Sequence, residues 1–175
     1  MKVAAVQLTS TGNVTENQEL ALAKIREAAG NGARLIVLPE ATAQNFRSGR
    51  LDEQAQTLEG PFATAIQTLA EELEVTVVAG MFCPADTVER DGKTINRVTN
   101  TALIAGPGVL GGYDKIHTYD AFDYHESDTV LAGESLVAFD VDDLVVGVAT
   151  CYDIRFPEQF KELASQGAQL IVVPT

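Results

Sequence analysis

Leu144-Val145-Val146-Gly147-Val148-Ala149-Thr150-Cys151-Tyr152-Asp153-Ile154-Arg155-Phe156-Pro157-Glu158 is the stretch on which the reading of this chain turns. Leu144 to Thr150 is an apolar run suited to a buried strand, Cys151 closes it, and Pro157 can open a helix. A thiol at such a strand-to-helix turn is a candidate nucleophile. Unpaired N–H groups and the partial positive charge of a helix N-terminus favour thiolate over thiol. Serine hydrolases use the same elbow, with the N–H of the next residue, here Tyr152, helping to bind an oxyanion. The other reading is a buried cysteine acting as a small core residue. The local pattern leaves both open.

Working outward, strands and helices alternate. Lys2 to Leu8 reads as a first strand, Thr15 to Ala29 as a helix ended by Gly30 and Gly32, and Arg34 to Pro39 as a short buried strand. Pro61 to Leu73 and Val75 to Phe82 repeat the helix-strand order. Asp91-Gly92 is a turn signal, so Asn96 to Ala105 is expected to return antiparallel to the preceding strand. Glycines punctuate Gly106 to Gly112, and Tyr113 to Gly133 is expected to be a long polar surface segment. Two more strands, Leu136 to Val141 and Leu144 to Thr150, meet at Asp142-Asp143. The helix Pro157 to Gln166 and the strand Gln169 to Val173 follow. The pattern is α/β. Its stop just after a buried-looking strand suggests a domain missing its C-terminal part, since such a strand is normally covered by a further helix.

Composition excludes several classes. With 46% hydrophobic and 21% charged residues the chain folds. A net charge of −13 argues against nucleic acid and against an anionic membrane surface. No apolar run is long enough to cross a bilayer, and Met1 to Val6 runs into a strand pattern instead of a signal peptide, which predicts a cytoplasmic protein. Cys83 and Cys151 lack metal-ligand spacing, and His117 and His125 lack Cys or carboxylate partners at such spacing, so no metal site is expected. Cys83, before Pro84, reads as structural. Gly106-Pro107-Gly108-Val109-Leu110-Gly111 has the G-x-G-x-x-G spacing, but no helix opens after it to receive a phosphate, so it is read as a turn.

Two further residues carry chemistry. Glu40 follows Leu35-Ile36-Val37-Leu38-Pro39, at the C-terminal end of a buried strand, where open α/β sheets place their sites. A glutamate partly withdrawn from water can take a proton from a thiol and return it to a leaving amine. Lys115, in Tyr113-Asp114-Lys115-Ile116-His117, can stabilise a thiolate or an oxyanion. The bland readings are an exposed carboxylate and a solvated lysine. A nucleophile, a base and a fixed cation at three strand ends are what covalent acyl transfer requires.

Leu38-Pro39-Glu40, Lys115-Ile116-His117 and Cys151-Tyr152-Asp153-Ile154-Arg155-Phe156-Pro157-Glu158, with the opening strand Val3 to Leu8, resemble the motifs of the nitrilase superfamily of carbon-nitrogen hydrolases. The resemblance implies an α-β-β-α sandwich, with two mixed sheets face to face and helices outside, incomplete at the C-terminus and formed by residues 1–175 as a single domain. It implies a Glu40-Lys115-Cys151 triad, with Glu126 as an additional glutamate near the site and no cofactor. Members of this family usually pair into larger oligomers. Tyr152-Asp153 after the cysteine is similar to the amidase branch, in particular to Nit-type amidases acting on omega-amides or deaminated glutathione. Arg155 is then a candidate for binding a substrate carboxylate. Three alternatives stand beside this reading. One is a truncated, non-catalytic assembly or binding module. Another is an N-carbamoyl-amino-acid hydrolase, though relatives of that kind often have two arginines where this chain has Ile154 and Arg155. The third is a flavodoxin-like or dinucleotide-binding domain.

Overall fold

The computed structural model describes residues 1–175. The first strand, β1 (Val3–Ala5), is shorter than its apolar pattern suggested, because it lies at a sheet edge and pairs on one side only, with β2 (Leu35–Val37). Between them runs α1 (Val14–Gly30), whose N-cap Asn13 accepts hydrogen bonds from the N–H groups of Thr15 and Glu16. After α2 (Pro61–Glu72), opened by Pro61, comes β3 (Thr76–Arg90), parallel to β2. The return strand β4 (Lys93–Gly106) is antiparallel, as Asp91-Gly92 foretold. Both turn residues have positive φ, 52° and 71°, the conformation that tight hairpin turns demand. The hairpin is much longer than expected.

A second turn at Gly108 (φ 73°) leads into β5 (Val109–Asp114), which completes a sheet ordered β1-β2-β3-β4-β5. The segment from Tyr113 to Gly133 is not a surface loop. It holds the short hairpin β6 (Asp120–Ala121) and β7 (Tyr124–His125), a 3-10 turn at Glu126–Asp128, and β8 (Val130–Leu131), which pairs with β4. Tyr113, Lys115, Glu126 and Val130 are all buried. Polar residues there are covered because they pair with one another, which hydropathy alone does not reveal.

The second sheet is ordered β11-β10-β9, from β9 (Val137–Val141), β10 (Leu144–Val148) and β11 (Leu170–Val172), with α3 (Pro157–Ser165) joining the last two. Alternation along the strands sorts the side chains into layers. Ile36, Val77, Ala79, Leu103 and Ala105 face Ile25, Phe62 and Ile66 of α1 and α2. On the other face Leu35, Val78, Ala102, Ile104 and Tyr113 meet Phe139, Val141, Val146, Val148 and Val172 of the second sheet. Outside that sheet, Leu163 of α3 lies over Gly147, where an added Cβ would come within 3.2 Å of it. The layers are therefore α-β-β-α. A doubly wound nucleotide-binding sheet would carry helices on both faces, so that alternative is excluded. No helix is long and apolar enough to cross a membrane.

Candidate active site

Glu40 lies just past the end of β2, where the chain leaves the sheet but stays bonded to β3. Leu38 N–H donates to Val78 O at 2.8 Å, Gly80 N–H to Pro39 O at 3.0 Å, and Ala43 N–H to Gly80 O at 3.0 Å. This close passage requires Gly80. A Cβ there would fall 1.3 Å from the Glu40 carbonyl oxygen. Gly80 was read only as part of a strand, and an isolated glycine within such a run is the available signal for close backbone approach. Lys115 is the first residue beyond β5, held by its N–H to Asn100 O at 2.9 Å.

The two side chains meet in a buried cluster. Lys115 Nζ donates to Glu40 Oε1 at 2.9 Å and to Glu126 Oε2 at 2.8 Å, and the lysine is 2% exposed. Asn100 Nδ2 donates to the same two carboxylates, at 2.8 Å to Glu40 Oε1 and 2.9 Å to Glu126 Oε1. Tyr119 N–H adds a third donor to Glu126, 2.7 Å from Oε2. Both oxygens of Glu126 are thus engaged, whereas the bonds from Lys115 and Asn100 to Glu40 both fall on Oε1 and leave Oε2 out of this cluster. Burial disfavours the Lys115 ammonium, but Glu40 and Glu126 outweigh it and hold its pKa above the ordinary value. Asn100 was not singled out in the sequence, where it looks like one more polar residue of β4.

Cys151 stands on the first residue of a 3-10 turn, Cys151–Arg155, and α3 begins only at Pro157. Its φ is +46°, unusual for a non-glycine residue and consistent with a sharp elbow. The N–H of Cys151 donates to Pro174 O at 2.8 Å, and the Glu40 N–H to Thr175 O at 3.4 Å, so the segment after β11 braces both residues. A low-pKa thiolate at a helix N-terminus was expected. The structure corrects this. Burial and the Glu40 carboxylate, opposed by Lys115, push the Cys151 thiol up to about 11. Desolvation and the neighbouring carboxylates outweigh the Lys115 charge.

Asp153, fully buried, ties the elbow to the Lys115 segment. Its Oδ2 accepts from Thr150 N–H at 2.8 Å and from the Tyr113 hydroxyl at 2.6 Å. Its Oδ1 accepts from His117 N–H at 3.0 Å and lies 2.8 Å from His117 Nδ1, so His117 has a carboxylate partner in space that it lacks in sequence. Gln159 Nε2 donates to the Tyr113 hydroxyl at 2.8 Å, and the His117 ring stacks on Phe156 with centroids 3.5 Å apart.

Glu40, Lys115, Glu126 and Cys151 all line one cleft of about 430 Å³. Phe46, Tyr119 and Tyr124 supply apolar wall, and Arg47 is the further cation. The Tyr152 N–H is the second of its 3-10 turn, a position with no carbonyl of the turn to bond. Its ring packs edge-on to Tyr119. Arg155 is exposed and lies outside the cleft, as does Ile154, so neither stands where an acyl group would be gripped. Cys83 sits half-buried in β3, away from the cleft, its thiol also pushed up by burial. No three His, Cys, Asp or Glu side chains stand close enough together to hold a metal ion.

Comparison with known proteins agrees with this architecture. The carbon-nitrogen hydrolase family model matches residues 2–175. A hydrolase of Mycobacterium tuberculosis is 44% identical over 178 residues, which cover 99% of this chain and 60% of that protein. A deaminated glutathione amidase of Synechocystis is 37% identical over 98% of this chain and 64% of its own length, and an omega-amidase of Danio rerio 32% identical over 99% and 62%. The chain thus spans less than two thirds of these relatives. An amidase structure from Nesterenkonia superposes on the whole chain and on 64% of its own, with a TM-score of 0.81 at 22% identity, a likeness of fold.

Proposed function

Because the chain belongs to the carbon-nitrogen hydrolase family, we propose that it hydrolyses the C–N bond of a small amide, with Cys151 as nucleophile, Glu40 as general base and acid, and Lys115 as electrostatic clamp. The observation that carries this reading is the asymmetry of the two carboxylates. Glu40 keeps one oxygen out of the Lys115 and Asn100 bonds, beside the cleft, while Glu126 spends both on Lys115, Asn100 and the Tyr119 N–H. Only the first can accept a proton without breaking a bond. Glu126 therefore holds Lys115 in place.

A thiol with a pKa near 11 is mostly protonated at neutral pH, so its proton leaves as the sulfur attacks and not beforehand. The proton passes to Glu40 as the Sγ–C bond forms, and the carbonyl π pair moves onto oxygen. An ammonium has three N–H groups. Two of those of Lys115 hold Glu40 and Glu126, and the third, with the Tyr152 N–H, meets the oxyanion. When the tetrahedral species collapses, the C–N bond breaks and Glu40 returns the proton to nitrogen, releasing ammonia. Water then gives a proton to Glu40 while its oxygen attacks the thioester. The C–S bond breaks, and the sulfur recovers the proton. Amides are favoured by the likeness to the deaminated glutathione amidase and the omega-amidase.

The test is ammonia release from short omega-amides by the wild-type chain and by Cys151→Ala. The proposal expects release only from the wild type. Equal release by both would overturn it.

A further inference from the structure

The cleft presents a charge problem. Glu40, Glu126 and Lys115 together carry a net negative charge, which repels any anionic acyl chain. Arg47 is the one other charged residue that lines the cleft. Arg34, Arg50, Arg90 and Arg97 each pair with an aspartate, whereas Arg47, like Arg26 and Arg155, has no carboxylate partner, and of these three Arg47 alone lines the cleft. In a chain with net charge −13, an arginine left unpaired at a cleft rim keeps its full hydrogen-bonding fork available.

Its backbone is also held in place. The Arg47 N–H donates to Asn45 Oδ1 at 2.9 Å, Asn45 N–H donates to Thr11 O at 3.0 Å, and Ser48 N–H returns to Asn45 O at 3.1 Å. Phe46 anchors the same loop edge-on against Phe82, centroids 5.1 Å apart. The Arg47 charge is felt at Tyr124 across the cleft. Burial and Glu126 raise that phenol, and Lys115 and Arg47 oppose them.

We propose that Arg47 is the specificity-determining cation of this cleft, binding a carboxylate at the far end of the acyl chain so that the amide end reaches Cys151. This rests on the amidase reading above. One guanidinium matches one carboxylate, whereas a dianionic phosphate would meet the buried carboxylates with too little compensating charge. The role that the sequence suggested for Arg155 passes to Arg47.

The experiment reads protection of Cys151 from iodoacetamide, followed by mass spectrometry of its peptide, with glutaramate against pentanamide, which has the same chain length and no charge. In Arg47→Gln the ratio of protective concentrations should shift against glutaramate roughly ten- to a hundredfold, the range of a charge-assisted hydrogen bond. Arg47→Lys should recover part of it, and Arg155→Gln should leave the ratio where it was. An equal loss for both ligands overturns the proposal, as does an absence of protection by glutaramate in the wild type or the same shift in Arg155→Gln. Ammonia release is measured in parallel. If neither amide is hydrolysed, the amidase reading falls, while the protection ratio still decides Arg47.

Discussion

Two buried polar clusters flank Cys151, and they are built differently. Around Asp153, both carboxylate oxygens are saturated by Tyr113, Thr150 and His117, and burial and the Asp153 carboxylate hold the Tyr113 phenol far above its ordinary range. Around Lys115, Glu126 is saturated but Glu40 keeps Oε2 out of the cluster, and Asn100 leaves its buried Oδ1 without a partner. A carboxylate closed at both oxygens fixes backbone, here joining the end of β5 to the cysteine elbow, while Thr150 Oγ1 and Gln159 Oε1 beside it are left without a partner. An open one keeps capacity for a reacting proton. The contrast predicts that damage to the closed cluster falls on stability, and damage to the open one on chemistry.

The largest effect is expected for Lys115→Met, which belongs to both accounts. It leaves two buried carboxylates facing each other without their cation and should cost about 3–5 kcal/mol. It should also lower kcat at least roughly a thousandfold, through lost oxyanion stabilisation. Urea unfolding and ammonia release measure the two. A stable, inactive variant would show that the cation serves chemistry alone. Asp153→Asn should come next, at about 3 kcal/mol, because an amide cannot accept from all its donors and buried groups lose their partner. Its kcat well below the unfolding midpoint should fall less than tenfold. A loss as large as that of Lys115→Met would erase the distinction between the clusters. Gly80→Ala should cost about 3 kcal/mol, the upper end of overpacking, because the Glu40 backbone itself must move aside. A larger loss of kcat than of stability would mark displacement of Glu40.

Legibility in the sequence follows the same division. Leu35–Val37 and the first half of β3 were readable because strands covered on both faces form unbroken apolar runs, and Asp91-Gly92 announced its turn through backbone chemistry. Glu40, Lys115 and Cys151, which line one cleft, could be singled out because each ends a strand-like run within a motif. Asn100, Asp153 and Arg47 were not. Lys115 lies 75 residues from Glu40 and 11 from Glu126, so no local period records that these charges cover one another. The same reason made Tyr113 to Gly133 look like surface. The thiol was misjudged because sequence displays the helix that follows and not the desolvation that surrounds it.

Glu40→Gln has the smallest expected effect on stability and sharpens the contrast most. A glutamine Oε1 still accepts from Lys115 and Asn100, so unfolding should shift by less than about 1 kcal/mol. Two opposite changes are expected at Cys151. Hydrolysis should be lost, because no group remains to receive the proton. Iodoacetamide, however, needs only the thiolate. Glu40 is among the causes that raise the thiol from 9.0 to about 11, so its neutralisation should move the pH midpoint of alkylation downward and speed the reaction near neutrality. The sign also holds for stability: a raised thiol pKa is lost stabilisation as pH climbs from 9 toward 11, since the unfolded thiol ionises first, and Glu40→Gln should narrow that window. A midpoint that stays in place or rises would mean that desolvation alone sets the thiol. Glu40 would then be one more scaffold carboxylate, like Asp153.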